Sequence, residues 1–180
     1  MLEKILQKRA ERLHAYMNKQ LPKEVRKIGL QFFLSRFREQ GWLDKSFEPW
    51  AKRKGKDRRK GRAILIDKGR LRNSIRADIK GHSIIFGTDV PYAKIHNEGG
   101  TINRKGGEKV LAFKAYTRGK HKGRTLFHAN SERADYAQKA QISDYTIDMP
   151  KRQFIGESAH LNKVLKRKIE NDIKKILKGN

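Results

Sequence analysis

His96 and Glu98 are the pair in this chain that comes nearest to a reactive arrangement, since a metal-dependent nuclease can use a histidine and a carboxylate beside a basic surface. A packing role is the stronger reading. His96 falls in a turn-like stretch where histidine commonly caps or packs, and no further polar groups converge there to complete a reaction. His14, His82, His121, His128 and His160 have none of the spacings of metal ligands. The Gly-Gly pairs at Gly99 and Gly106 lack the strand and helix of a phosphate loop, and no Gly-Lys-Ser/Thr follows either. Cysteine is absent, which excludes a disulfide framework, a zinc ribbon and a thiol nucleophile. The residues therefore point away from an enzyme, with no catalytic residue, metal or cofactor expected.

Charge is the more informative property. Lys and Arg total 44 against 19 Asp and Glu, a formal charge of +25 spread over 180 residues. Such a surface attracts polyanions: nucleic acid, acidic protein faces or anionic lipid. Two stretches concentrate it. Lys52, Arg53, Lys54, Lys56, Arg58, Arg59, Lys60 and Arg62 share one run with a single Asp, and Arg118, Lys120, Lys122 and Arg124 share another. A basic loop can neutralise several phosphates, although a charge run is as often a solvated face. Trp42 and Trp50 have the chemistry to stack on bases, but pinning the neighbouring loop to the core is the favoured role. No apolar run approaches the roughly 18 to 20 residues of a membrane span, and the first residues carry charges unlike a signal peptide, so a soluble protein without membrane contact is expected.

The elements that would position these residues follow from periodicity. Leu2, Ile5, Leu6, Leu13, Tyr16 and Met17 mark one face of a helix interrupted by Arg9. Pro22 suits the first turn of a second helix, in which Val25, Ile28, Gly29, Phe32, Phe33 and Phe37 form the best candidate core face before Gly41 stops it. Residues 42–62 read as an aromatic and then basic loop, tacked down by Trp42, Phe47 and Trp50. From Leu71 the period becomes two, with Leu71, Asn73, Ile75, Ala77 and Ile79 on one side of a strand; Gly81-His82 turns it into a second strand over 83–88. A short helical turn over 91–98 ends at Gly99-Gly100. Residues 110–116 and 124–128 read as another hairpin around a basic turn, and 131–143 stays unassigned. An amphipathic helix from about Glu157 carries Leu161, Val164, Leu165, Ile169, Ile173, Ile176 and Leu177. The expectation is one α+β domain over 1–180: a helical part over 1–41, the loop over 42–62, a mainly β part over 63–156 and the last helix over 157–180. Its antiparallel sheet of two hairpins would be covered by the N-terminal and C-terminal amphipathic helices.

Three stretches in order carry a family resemblance. Residues 64–75 contain Ile64-Leu65-Ile66, Gly69, then Leu71 with Ser74-Ile75, where Lys68 stands in place of a usual threonine. Residues 86–100 contain Gly87-Thr88, Tyr92-Ala93, Ile95-His96 and Gly99-Gly100. Residues 150–156 contain Pro150, Arg152, Phe154 and Gly156. Together they resemble the phage virion morphogenesis family, the tail completion or neck proteins of tailed bacteriophages. Physically, Gly69 permits a sharp turn into the strand, Tyr92 and Ile95 can both face the core, Pro150 delays the last helix, Phe154 plugs the apolar layer, and the Arg152 fork can hold a carboxylate or backbone carbonyls.

The resemblance implies a non-enzymatic virion protein, at work in the bacterial host cytoplasm during assembly and then in the neck or tail. It also implies a homo-oligomeric ring around the DNA channel, expected as a hexamer, with other phage neck and tail proteins as partners and DNA contact in the channel. The alternative that the charge alone supports is an independent nucleic-acid-binding protein.

Overall fold

The structure, a computed structural model, describes residues 2–53, 61–81, 83–127 and 133–178. It is of the α+β class, with helices at both ends and small sheets between, in two compact units: Met1–Gly100 with Pro150–Asn180, and Thr101–Met149.

The first unit opens with α1 (Leu2–Ala15), a π-helical turn (Tyr16–Gln20) and α2 (Leu21–Glu39). Pro22 lies in the first turn of α2, as expected. The wider π turn, closed by Leu21 N–H on the Tyr16 carbonyl, takes up the register that a proline without an N–H would otherwise break. Gly41 is not the left-handed stop. Gln40 takes that role at φ 60°, held by its own amide, which donates to the Phe37 and Ile64 carbonyls and accepts from Ile64 N–H. Gly41 instead opens a hairpin, β1 (Gly41–Leu43) with β2 (Phe47–Pro49), where a Cβ would lie 2.6 Å from the Glu48 carbonyl oxygen. Residues 42–49 are thus strand and turn rather than loop. Trp42 and Trp50 are buried as expected, while Phe47 stays exposed.

The strand expected from Leu71 begins later. Gly69, at φ 78°, heads a single helical turn, α3 (Arg70–Asn73), in which Asn73 and Ser74 N–H donate to the Gly69 and Arg70 carbonyls at 2.9 and 3.0 Å. Leu71 and Ile75 are four residues apart, a spacing that suits one helical turn as well as a strand, and the turn takes it. Only Arg76–Lys80 (β3) pairs with Ser83–Gly87 (β4), in the register Arg76↔Gly87 to Lys80↔Ser83. Gly81 turns at φ 57°; His82 lies outside the described residues. This hairpin packs on α2, with Phe86 edge-on to Phe33 at 5.1 Å. Gly29 permits the approach, since a Cβ there would fall 2.3 Å from the Phe86 ring.

Next comes α4 (Ala93–Glu98), ended by Gly99 at φ 77°. Ala93 is buried, but Tyr92 is 42% exposed; lying just before the helix, it turns outward against His96 instead of facing the core. The last helix, α5 (Ala159–Lys178), begins two residues after the expected Glu157. Ser158 caps it, accepting from Leu161 N–H at 3.1 Å and donating to the Leu43 carbonyl at 2.7 Å.

In the second unit, β5 (Gly100–Arg104) pairs with β9 (Tyr145–Met149), and β6 (Gly107–Tyr116) lies between β7 (Arg124–Phe127) and β8 (Tyr136–Ile142). The expected 110–128 hairpin is therefore present through Phe127, His128 lying outside the described residues. The unassigned stretch supplies β8, which occupies the free edge of β6. The two hairpins do not share a sheet, since β3–β4 and β7–β6–β8 are separate.

Candidate functional site

The three motif stretches meet in one cluster of the first unit. Leu71 and Ile75 come from the first, Val90 and Ala93 from the second and Phe154 from the third, packed with Phe37 and Trp50. Phe154 is 1% exposed and sits 5.2 Å from Phe37, ring to ring. Around this apolar centre the polar groups bind chain to chain. Arg152 donates through its backbone N–H to the His96 carbonyl at 2.8 Å. Its Nε and Nη2 reach the carbonyls of Ala51 and Lys52 at 2.9 and 3.4 Å, so its fork holds backbone carbonyls. Burial, and then the neighbouring Arg53, push its pKa below the usual arginine range.

Asn97 does what the sequence did not signal. Its Oδ1 accepts from both Phe154 and Ile155 N–H, at 2.9 and 3.1 Å. The Trp50 indole N–H donates to the Gln153 carbonyl at 2.9 Å. Gly156, at φ 150°, brings its backbone so close to Gln153 that a Cβ would lie 2.4 Å from the side-chain nitrogen. After Pro150 the chain forms neither helix nor strand, bending at Ile155 and Gly156, until Ser158 caps α5. Ser74 and Thr88 share a 2.6 Å hydroxyl contact, and Thr88 also accepts from Val90 N–H. Gly100 lies at φ 134° against Ile95. Nothing in the structure explains a glycine at Gly87.

His96 packs at the edge of this cluster. Burial and the Arg152 charge lower its pKa, and its Nδ1 is buried without a hydrogen-bond partner among the described residues. Glu98 is exposed two residues further along the helix, where side chains do not face one another. Among the described residues no group of three or more His, Asp or Glu could hold a metal ion. His160 lies parallel to Phe32 at 6.2 Å, His121 is edge-on to Tyr116 and His14 contacts Asn18.

The basic stretches divide in the same physical terms. Arg53 donates to the Arg62 and Ala63 carbonyls at 2.8 and 2.6 Å, and Arg62 pairs with Asp67 at 2.6 Å. Arg53 thus joins the two ends of the run, and Arg62 ties its far end to Asp67. Lys52 is exposed; Lys54, Lys56, Arg58, Arg59 and Lys60 lie outside the described residues. In the second unit, Arg118, Lys120, Lys122 and Arg124 are all exposed around a 3-10 turn (Gly119–His121), closed by Gly123 N–H on the Tyr116 carbonyl at 2.7 Å. None of the four forms an ion pair with the described residues. The arrangement offers hydrogen-bonded straps and a projecting cationic turn.

Compared with known proteins, residues 1–178 match a family model described as the phage virion morphogenesis family. No curated protein and no solved structure matches the chain.

Proposed function

The chain belongs to the phage virion morphogenesis family and has a structural or assembly role in the phage particle; within that role we propose that it is a tail completion or head–tail joining protein, one subunit of a ring around the DNA channel. The observation that carries this reading is the family match over residues 1–178, together with the convergence of the three motif stretches on one buried cluster. The protein acts by occupying a place, without turning over a substrate. Ring closure needs one patch of each copy to meet a different patch of the next. The exposed cations of the 118–124 turn supply charge that orients docking on acidic faces of neighbouring neck or tail proteins, or on DNA in the channel, and speeds association more than it adds affinity.

Disrupting the gene and imaging the particles tests this. Filled heads and tails that stay unjoined or unfinished, rescued by the chain supplied from a plasmid, are expected, with the chain present in purified virions as a ring. Normal particles without it, or its absence from virions, would refute the proposal.

A further inference from the structure

The first turns of α1 carry an apolar stripe that none of the described residues covers. Leu2 is 70% exposed and Leu6 55%, with Ile5 exposed beside them, although further along the helix Leu13 is half-buried and Tyr16 is buried. The register of the helices explains the change. Along α2 and back into the π turn, Phe33 meets Leu161, Glu24 pairs with Lys168 at 2.6 Å, and the Tyr16 hydroxyl donates to Asp172 at 2.9 Å. With equal rise on antiparallel helices, the start of α1 extends past Lys178, the last described residue of α5, where Leu177 is also exposed. Lys168 also bonds Asp172, and burial with the Asp172 contact pushes the Tyr16 hydroxyl up to about 12. This polar seam ties the π turn and the start of α2 to α5, and α1 runs on from that turn.

Its surroundings are cationic. Lys4, Lys8, Arg9 and Arg12 lie on α1 against Glu3 and Glu11, and the last turns of α5 add Lys174, Lys175 and Lys178. We propose that this end of the α1–α5 pair is a docking surface for an acidic amphipathic helix of another virion protein. The partner's apolar side would lie on Leu2, Ile5 and Leu6, with carboxylates on the flanking cations. Interfacial helices that bind lipid carry aromatic anchors among their apolar residues, whereas Leu2, Ile5, Leu6 and Leu177 include none. The site deepens the assembly reading and rests on it only in taking the partner to be a virion protein.

The test titrates the full-length protein with a synthetic amphipathic peptide bearing leucines on one face flanked by glutamates. The same peptide with lysines for glutamates, and phosphatidylglycerol vesicles, serve as comparisons. The glutamate peptide should bind, with affinity falling about 10-fold or more in the Leu2→Gln/Leu6→Gln variant, as expected from losing two apolar contacts. Neither comparison should bind comparably. Glutamine retains helix propensity and both leucines are exposed, so circular dichroism should show an unchanged fold. Failure of the glutamate peptide to bind, equal binding by the variant, or preference for vesicles would each overturn the proposal. A chain present in virions that binds no acidic peptide loses this surface and keeps the assembly role; the reverse result loses the assembly role and keeps the surface.

Discussion

Asn97 illustrates how much a single oxygen can hold. Removing it strands two backbone donors, those of Phe154 and Ile155, and an unmet buried donor costs about 1 to 3 kcal/mol. Asn97→Ala should therefore lower the urea midpoint by an amount corresponding to at least about 2 kcal/mol, while Asn97→Asp, which keeps the acceptor, should lose much less. Equal losses in the two variants would show that the oxygen is not what matters. His96 predicts a pH dependence. Its pKa is lowered in the fold by burial first and by Arg152 second, so the folded protein resists a proton that the unfolded chain accepts near the ordinary value of about 6.5. The unfolded state then binds more protons below that value, and stability falls as pH drops from there toward the lowered folded pKa. Unfolding midpoints at pH 7.5 and 5.5 (~2 units apart, spanning the ordinary value) should differ more in the parent protein than in His96→Gln. A similar drop in both would assign the effect to other groups.

At the scale of elements, the contacts that matter are those that let one element approach another. Gly29 faces the Phe86 ring of β4 so closely that a methyl group cannot enter without displacement. Gly29→Ala gains about 1 kcal/mol of helix propensity but introduces overpacking of about 1 to 3 kcal/mol; net destabilisation by calorimetry is the expected outcome, and Gly29→Val should be worse. Ser158→Ala removes the cap of α5 and leaves the Leu43 carbonyl unmet, at a cost of about 1 to 2 kcal/mol. Denaturant unfolding measures it, and an unchanged midpoint would mean that Asp44, which accepts from Ala159 N–H, caps the helix alone. These elements also show what the sequence makes legible. The amphipathic α5 and the Phe33 and Phe37 face of α2 were readable because a long helix repeats its burial pattern many times. The turn over 70–73 was not, since Leu71 and Ile75 satisfy both periods. Neither β1–β2 nor β8 announced itself, being short or polar, and pairing to a distant strand is what stabilises β8. In the site, Arg152 and Phe154 were readable through the family pattern of residues 150–156, to which their residue types then give a physical sense. Asn97 and Gln40 were not, because their partners are backbone groups distant in sequence.

For the whole molecule, a charge of +25 admits two behaviours that differ in salt dependence and in partner. A free-standing nucleic-acid binder holds phosphates directly, and its affinity falls steeply as salt displaces the advantage of counterion release. An assembly subunit uses the same charge to approach and orient, while its final contacts are formed by shape. The strapped core keeps Arg53, Arg62 and Arg152 on internal acceptors, so the cations open to a partner include those of the 118–124 turn. Replacing Arg118, Lys120, Lys122 and Arg124 together by serine touches no ion pair among the described residues, and each exposed change should alter stability by no more than about 0.5 kcal/mol. Calorimetry should confirm a folded protein, while particle yield in a complementation assay drops and is not restored by raising expression severalfold. Filter binding of the parent chain to DNA at low and physiological salt is the companion measurement. Weak binding at physiological salt with impaired assembly in the serine variant fits a docking role for the charge. Sub-micromolar DNA binding by the isolated chain at that salt, with normal particles from the variant, would instead favour a nucleic-acid-binding protein.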